Sequence, residues 1–298
     1  MSWSNGNEMV WREVIETIAQ EIKKNVIIVE KDTIQSIFLY ELSKSNLPFV
    51  FKGGTSLSKV YGLIDRFSED IDISFSKKAT DGEKKKAKEA ILNVADILDL
   101  TLSNPNKIKS RHDYNKYVFT YESLFDDKPL EIIIETSFYQ LVYPVEKKTI
   151  NSFIGSFCKE KNIQLPISFD AMFFEFDVQS LNRTFIDKIF AICDYRIQNM
   201  MDRDSRHLYD VAKMIPYIKF DNKIKELIQL VRKDRALSKN NPSANEKYNI
   251  TNMLKEIIDS KFYELDYINV TQKLLYEHYN YDDAINNGIA IVVSKNIF

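Results

Sequence analysis

Hydrophobic positions change period along this chain, and the changes mark out its elements. Near the N-terminus Met9, Val10, Val14, Ile15, Ile18 and Ile22 recur at helical spacing and predict one amphipathic helix. A second helical stripe, Ile34, Ile37, Phe38 and Leu42, runs through residues 32–42. Leu47 to Lys52, LPFVFK, is short, apolar and rich in β-formers, so it predicts a buried strand. Gly53 and Gly54 end that strand, and helical character resumes in TSLSKVYGLI, with Thr55 or Ser56 as natural caps. From Asp70 the pattern alternates strictly. Asp70, Asp72 and Ser74 share one face and Ile71, Ile73 and Phe75 the other, which predicts a half-buried strand presenting two carboxylates side by side.

Beyond it, Lys77 to Lys88 reads as a solvated lysine-rich loop leading into a helix over residues 87–100. Strands are predicted around Tyr114–Tyr121 and Leu130–Phe138, followed by a less regular segment from Val145 to Pro166. From Arg183 to about Tyr281 the pattern is helical. Mixed elements first and helices later predict an α+β lobe over residues 1–165 and a mainly helical lobe over 166–298.

Composition narrows the class. The 298 residues are 44% hydrophobic and 28% charged, enough to bury a core in one large or two modest domains. No stretch approaches the roughly 18–20 uncharged apolar residues of a membrane span. The N-terminus lacks a basic head, apolar run and small-residue cleavage site in that order, so no secretory signal is expected. Two cysteines, Cys158 and Cys193, are too few for a disulfide framework or a cysteine-rich zinc site, which points to a reduced, cytoplasmic setting. A net charge of −2 does not advertise nucleic-acid binding, although a local basic surface is compatible with it.

The sharpest chemical signal is a strand, Gly-Gly-Thr-Ser, a helix, and then Asp-x-Asp on a second strand. Glycine is scarce, seven in all, yet Gly53, Gly54 and Gly62 fall within ten residues. Backbone N–H groups in a glycine turn opening a helix suit an anion. Two aspartates at period-two spacing suit a hard, oxygen-seeking cation such as Mg²⁺, or Mn²⁺ in its place. Together they predict a grip on a nucleoside triphosphate and on the metal that neutralises it. The bland alternative, an exposed acidic strand beside a glycine turn, accounts for each half but not for their order and spacing.

FKGGTSLSKVYGLIDRFSEDIDISF resembles the core motif of the AbiEii/AbiGii nucleotidyltransferase toxins, within the DNA polymerase β-like superfamily. NRTFIDKIFAICDYR resembles that family's Arg-Thr-Phe, Lys-containing helix, and RDSRHLYDVAKM its Arg-His-x-Tyr-Asp element. The three motifs span Lys52 to Met214, about half the chain; the segment after roughly Phe220 adds nothing to the likeness. The resemblance implies a minimal nucleotidyltransferase lobe with a mixed sheet, a helical lobe after it, and an active site in the cleft between them.

Roles follow from the resemblance position by position. Asp70 and Asp72 would be the metal ligands. Gly53, Gly54, Thr55 and Ser56 would cradle phosphates with Lys59 nearby, and Ser68 would place a hydroxyl beside the metal. Lys188 would contact the triphosphate, Asp210 would complete the pocket, and Arg206 would assist. A third carboxylate, catalytic or metal-binding, is expected in PLEIIIETSF. Glu131 and Glu135 share a face there, and Glu135 is favoured because an apolar run followed by Glu suits the family pattern better.

Residue types alone allow plainer readings. Lys188 could snorkel from an apolar helix, Asp210 could simply pair with Arg206, and His207 reads as structural, with no second histidine at ligand spacing. The basic run Arg232, Lys233, Arg235 and Lys239, followed by Tyr248, Tyr263 and Tyr267, could hold an RNA acceptor or could be a helix end and a tyrosine-rich core.

The expected reaction is transfer of a nucleoside monophosphate from an NTP to an acceptor hydroxyl, with pyrophosphate released. By resemblance the acceptor is RNA, such as a tRNA 3′ end, and the chain is the toxin of a bacterial toxin–antitoxin or abortive-infection system with a cognate antitoxin. The alternatives are nucleotidylation of a protein or a small molecule such as an antibiotic, and a non-catalytic nucleotide-binding regulator.

Overall fold

A computed structural model describes every residue except 1, 2, 5, 67, 69, 109–111, 140, 141, 166–169 and 203. The chain folds into two compact units, residues 1–61 with 68–178, and residues 62–67 with 179–298. The first unit therefore reaches past the boundary expected near residue 165; residue 166 lies outside the described residues.

The first unit opens with α1 (Glu8–Glu21) and α2 (Val26–Ser43). Val14, Ile15 and Ile18 bury the stripe of α1, while Met9 is 86% exposed. α2 begins six residues earlier than its stripe suggests, because Asn25 accepts from Ile27 N and caps it. β1 (Phe49–Lys52) leads directly into α3 (Gly53–Lys59), and β2 (Asp70–Phe75) follows. Thr55 and Ser56 lie inside α3 rather than capping it, since the turn begins at Gly53 with Lys52 as N-cap.

α4 (Asp81–Ile97) starts inside the stretch read as a lysine-rich loop. Thr80 and Glu83 form a reciprocal capping box that offsets the helix-weakening Gly82. β3 (Thr101–Leu102), β4 (Tyr114–Tyr121) and β5 (Leu130–Ser137) come next. The segment expected to be irregular instead holds β6 (Val145–Asn151) and α5 (Phe153–Lys161); its expected end, Pro166, lies outside the described residues. β7 (Phe173–Gln179), a strand the periodicity did not reveal, closes the unit.

The seven strands form one mixed sheet in the order β3-β4-β5-β2-β1-β7-β6. β2 is its hinge of direction, antiparallel to β1 and parallel to β5. Its strict alternation sorts the two faces. Ile71, Ile73 and Phe75, with Phe51, Ile132, Ile134, Tyr117 and Phe119 on neighbouring strands, are buried in the core that also takes Phe38, Leu39 and Leu42 of α2. Asp70 and Asp72 stand half-buried on the other face.

The second unit is helical, as its sequence predicts. It contains α6 (Leu181–Ile197), α7 (Arg206–Met214), α8 (Asn222–Arg235) and α9 (Ile250–Asp259), followed by short turns and a run of helix from Tyr281 to Lys295. Residues 62–67 join it through Arg66, which bridges Leu275, and through Asp65, whose carbonyl accepts from Tyr276 N at 3.1 Å. Among the described residues no helix is long and apolar enough to cross a membrane.

Candidate active site

In the first unit, register builds the site. Asp72 pairs with Glu135 across β2 and β5, Glu135 pairs with Lys116 across β5 and β4, and Asp72 pairs with Lys52 across β2 and β1. Directly opposed residues point to the same face. One row across four strands thus reads Lys116, Glu135, Asp72, Lys52, two carboxylates bracketed by two lysines. Asp70 lies on the same face one step along. Glu135 is therefore the better placed of the two candidate glutamates, since Glu131 lies opposite Thr120 and outside the β2 register.

Glu135 is not idle in this row. Lys116 Nζ lies 3.2 Å from its Oε1. Tyr114, 49% exposed, lies on the same face of β4, close enough to feel its charge. Burial, and then the charges of Glu135, Asp72 and Asp70, push the Tyr114 phenol well above its ordinary value.

Gly53 has φ of +78°, a conformation that favours glycine, and a β-carbon there would fall 1.9 Å from Asp72 Oδ2. The turn is thus pressed against the carboxylate, and a side chain at residue 53 would displace it. Gly54, next in α3, is half-buried. Thr55 Oγ1 donates to Asp70 O at 2.5 Å and lies 2.8 Å from Ser68 Oγ, which fastens α3 to the start of β2. Ser56 Oγ donates to Gly53 O at 2.8 Å. Thr55 and Ser56 are both buried, and their hydroxyls hold the turn in shape.

Lys59 departs from its expected place near phosphates. It is buried, and its ammonium contacts Asp32 Oδ1 at 2.5 Å, Asp32 O at 2.8 Å and Ser36 Oγ at 2.8 Å, all on α2. An ammonium has three donors, and here all three are occupied.

The donor set suits a divalent cation. Asp70 and Asp72 supply hard oxygens on one face, with Glu135 in register. Among the described residues no three His, Cys, Asp or Glu side chains converge closely enough to hold a metal by themselves. Mg²⁺ commonly takes one or two carboxylates and completes its shell with substrate phosphates and water, so an acidic pair is sufficient.

In the second unit, Asp210 is the centre. Fully buried on α7, it accepts from Arg66 Nε at 2.7 Å and Nη2 at 2.8 Å, and from Lys188 Nζ at 2.6 Å. Burial alone would raise its pKa, but the Arg66 and Lys188 charges overcome that and hold the carboxyl far below its ordinary range. Lys188 on α6 is nearly buried; desolvation pulls its pKa down against the opposing pull of Asp210. His207 Nδ1 lies 3.3 Å from Lys188 Nζ and acts as the acceptor, because burial and then the Lys188 charge push its pKa down to about 3. The ring is thus tied to Lys188, the hydrogen-bonding placement expected of it. Arg206 pairs with Asp204 at 3.1 Å rather than with Asp210.

Sequence reasoning missed Arg66, Tyr114 and Lys116. Arg66 sits inside the core motif, four residues before Asp70, and could have been found there. Tyr114 and Lys116 carry no signal beyond the alternation of β4.

Of the acceptor surface suggested by Arg232 to Lys239 and the tyrosines after it, Lys233 and Lys239 are exposed and Arg232 and Tyr248 partly so, while three residues are internal. Arg235 is buried, with Asp194 at 2.6 Å and Asp187 at 3.1 Å. Tyr263 and Tyr267 are buried too, donating to Ile192 O at 2.6 Å and Tyr279 O at 3.1 Å. The plainer reading of this run, a helix end and a tyrosine-rich core, holds for these three residues.

A mixed sheet that sets an acidic pair against a glycine turn, with a helical unit after it, is the build of a nucleotidyltransferase. The family described as "Nucleotidyl transferase AbiEii toxin, Type IV TA system" matches residues 37–287, and the chain belongs to that family. It is accordingly a nucleotidyltransferase of a toxin–antitoxin system, with a nucleotide substrate and an antitoxin as the implied partner. No curated protein matches the sequence. Two solved structures are similar at low identity. A candidate nucleotidyltransferase from H. pylori is 15% identical, with a TM-score of 0.46 over 91% of this chain and 94% of that one. JHP933 from Helicobacter pylori is 14% identical, with a TM-score of 0.42 over 88% of each.

Proposed function

We propose that this chain transfers a nucleoside monophosphate from an NTP to a hydroxyl of RNA, such as a tRNA 3′ end, in the bacterial cytoplasm. The O–Pα bond to the acceptor forms as the Pα–O–Pβ bond breaks. Pyrophosphate leaves with the bonding pair, and the hydroxyl proton passes to water. The observation that carries this reading is the close approach of Gly53 to Asp72, which sets two carboxylates against a turn with no room for a β-carbon while Asp72 keeps its place.

Asp70 and Asp72 would hold Mg²⁺, with Glu135 in reserve on the adjoining strand. The cation, when bound, neutralises charge on the triphosphate and its leaving group. Gly53 and Gly54 give phosphates close access to backbone, while Thr55, Ser56 and Ser68 keep that backbone rigid. By the family resemblance Lys188 would contact the triphosphate, and within the second unit Asp210 with Arg66 fixes its ammonium in place. Lys59 serves by anchoring α3 to α2, and Arg206 has a peripheral part.

Incubation with Mg²⁺, each α-³²P-labelled NTP in turn, and total RNA or total protein tests the reading. Label is expected in RNA, and Asp70→Asn and Lys188→Ala are each expected to abolish it. Label in protein alone would replace the RNA acceptor with a protein side chain. NTP binding with no pyrophosphate release in any mixture would overturn transfer itself.

A further inference from the structure

With Arg235, Tyr263 and Tyr267 buried, a different pairing of cation and aromatic rings in the second unit stands open. A concavity of about 430 Å³ lies between α7, the turn Ile215–Tyr217 and the C-terminal helical run. That volume falls within the roughly 300–1,000 Å³ of small-ligand sites. Ala212, Ile215 and Ile291 give it an apolar lining.

Three side chains supply its chemistry. Lys213 Nζ sits 5.0 Å from the ring centroid of Tyr279 and 5.5 Å from that of Tyr209, and among the described residues no carboxylate pairs with it. Its charge is held in place over two ring faces and lacks an anion. Tyr217 at the rim is 61% exposed, on a turn stiffened by Pro216. Asn287 donates to Tyr279 Oη at 3.1 Å.

Asn287 immediately precedes a kink between two helical segments, where Gly288 leaves helical geometry (φ −116°, ψ −105°). A β-carbon at Gly288 would meet Ala212 N at 3.2 Å, so the kink is seated on α7 by its glycine.

We propose that this concavity binds one nucleotide of a single-stranded RNA acceptor, with its phosphate on Lys213 and its base stacked on Tyr217. A phosphate supplies the anion that Lys213 lacks. A base suits an exposed tyrosine ring, which offers a flat face at the cost of only two torsions. The apolar lining accepts the sugar edge, and the Asn287 amide lies within the same concavity to meet a polar atom of the base or ribose. A nucleic-acid strand and a free nucleotide share this chemistry; the rim position and exposure of Tyr217 favour a strand that continues past the site. The inference rests on the RNA-acceptor reading above and names a part of that surface.

Fluorescence anisotropy of a labelled 12-nucleotide oligouridylate, with the full chain and no NTP, tests it. Tyr217→Ala is expected to weaken binding by about 5- to 150-fold, the range set by one stacked base, whereas Tyr217→Phe stays within about twofold of wild type. Lys213→Met is expected to shallow the plot of log affinity against log salt by about 0.7, one phosphate contact on a single strand. Unlabelled UMP should fail to displace the strand at comparable concentration; if it displaces it, the site belongs to a free nucleotide and the proposal falls. Equal binding by wild type, Tyr217→Ala and Lys213→Met overturns the site and leaves RNA as acceptor. Failure of the wild type to bind the oligouridylate at all overturns the site, and failure to label RNA in the transfer assay overturns the acceptor.

Discussion

Gly53 and Asp72 are packed so closely that a single methyl group on the glycine would overlap the carboxylate, 1.9 Å from Oδ2. Gly53→Ala combines that overlap with a left-handed φ of +78°, which costs a non-glycine residue about 1–2 kcal/mol. Asp72 must then swing away from the face it shares with Asp70. Transfer activity is expected to fall at least about tenfold, with a modest loss in urea stability. Full activity in a folded Gly53→Ala protein would show that the contact has no part in the reaction.

Lys116 stands in the row as a built-in cation beside Glu135. Removing it leaves the acidic face more negative and should tighten its hold on a divalent ion. Because both partners are partly exposed, the effect is modest, about 1.4- to fivefold, in line with about 0.2–1 kcal/mol for such pairs. Mg²⁺ titration of Lys116→Met should therefore show half-saturation at lower concentration than wild type. A higher requirement would mean that Lys116 assists the cation rather than opposing it.

Lys59 separates two readings of one residue. As an anchor between α3 and α2, its loss strands a buried Asp32, a change on the order of 3–5 kcal/mol. Lys59→Met should lower the urea midpoint sharply while the KM for NTP in the folded protein stays within about twofold. A raised KM with unchanged stability would return Lys59 to the phosphates.

His207 makes the second unit sensitive to mild acid. Its pKa is pushed down to about 3 from the ordinary value near 6.5. Between those values the unfolded chain carries a proton here that the folded chain does not, so stability declines as pH drops through that interval. Asp210 acts in the other register. Its depressed pKa keeps its contribution complete above the ordinary carboxylate range near 4, and only stronger acid removes it. Urea midpoints measured from pH 7 down to pH 4 should fall for wild type and run flatter for His207→Gln. Parallel curves for the two proteins would show that another group sets the acid response.

Much of the site's location could be read from the sequence because β2 alternates without exception and the glycines cluster beside it. Period two fixes which face a carboxylate occupies, whatever the rest of the sheet does. Register across strands is not written in one strand's pattern, so the placement of Glu135 opposite Asp72, and of Lys116 opposite Glu135, had to come from the structure. Lys59 and Arg235 misled for a related reason. A basic side chain in a plausible motif looks available until the buried carboxylates it serves, Asp32 in one case and Asp187 and Asp194 in the other, are seen beside it. The missed β6, α5 and β7 lie where burial follows tertiary pairing more than local period, and Gly82 masked a capping box that the letters Thr80 and Glu83 did contain.

The six residues from Gly62 to Phe67 have a consequence for how this gene could be divided. They are encoded in the midst of the first unit's elements, yet their arginine has its carboxylate partner 144 positions downstream. A polypeptide cut after Val178 would carry Arg66 without Asp210, and the complementary piece would keep Asp210 and Lys188 without Arg66. Neither fragment inherits an intact ionic core, so the toxin should be silent when split and regain function only when the pieces reassociate.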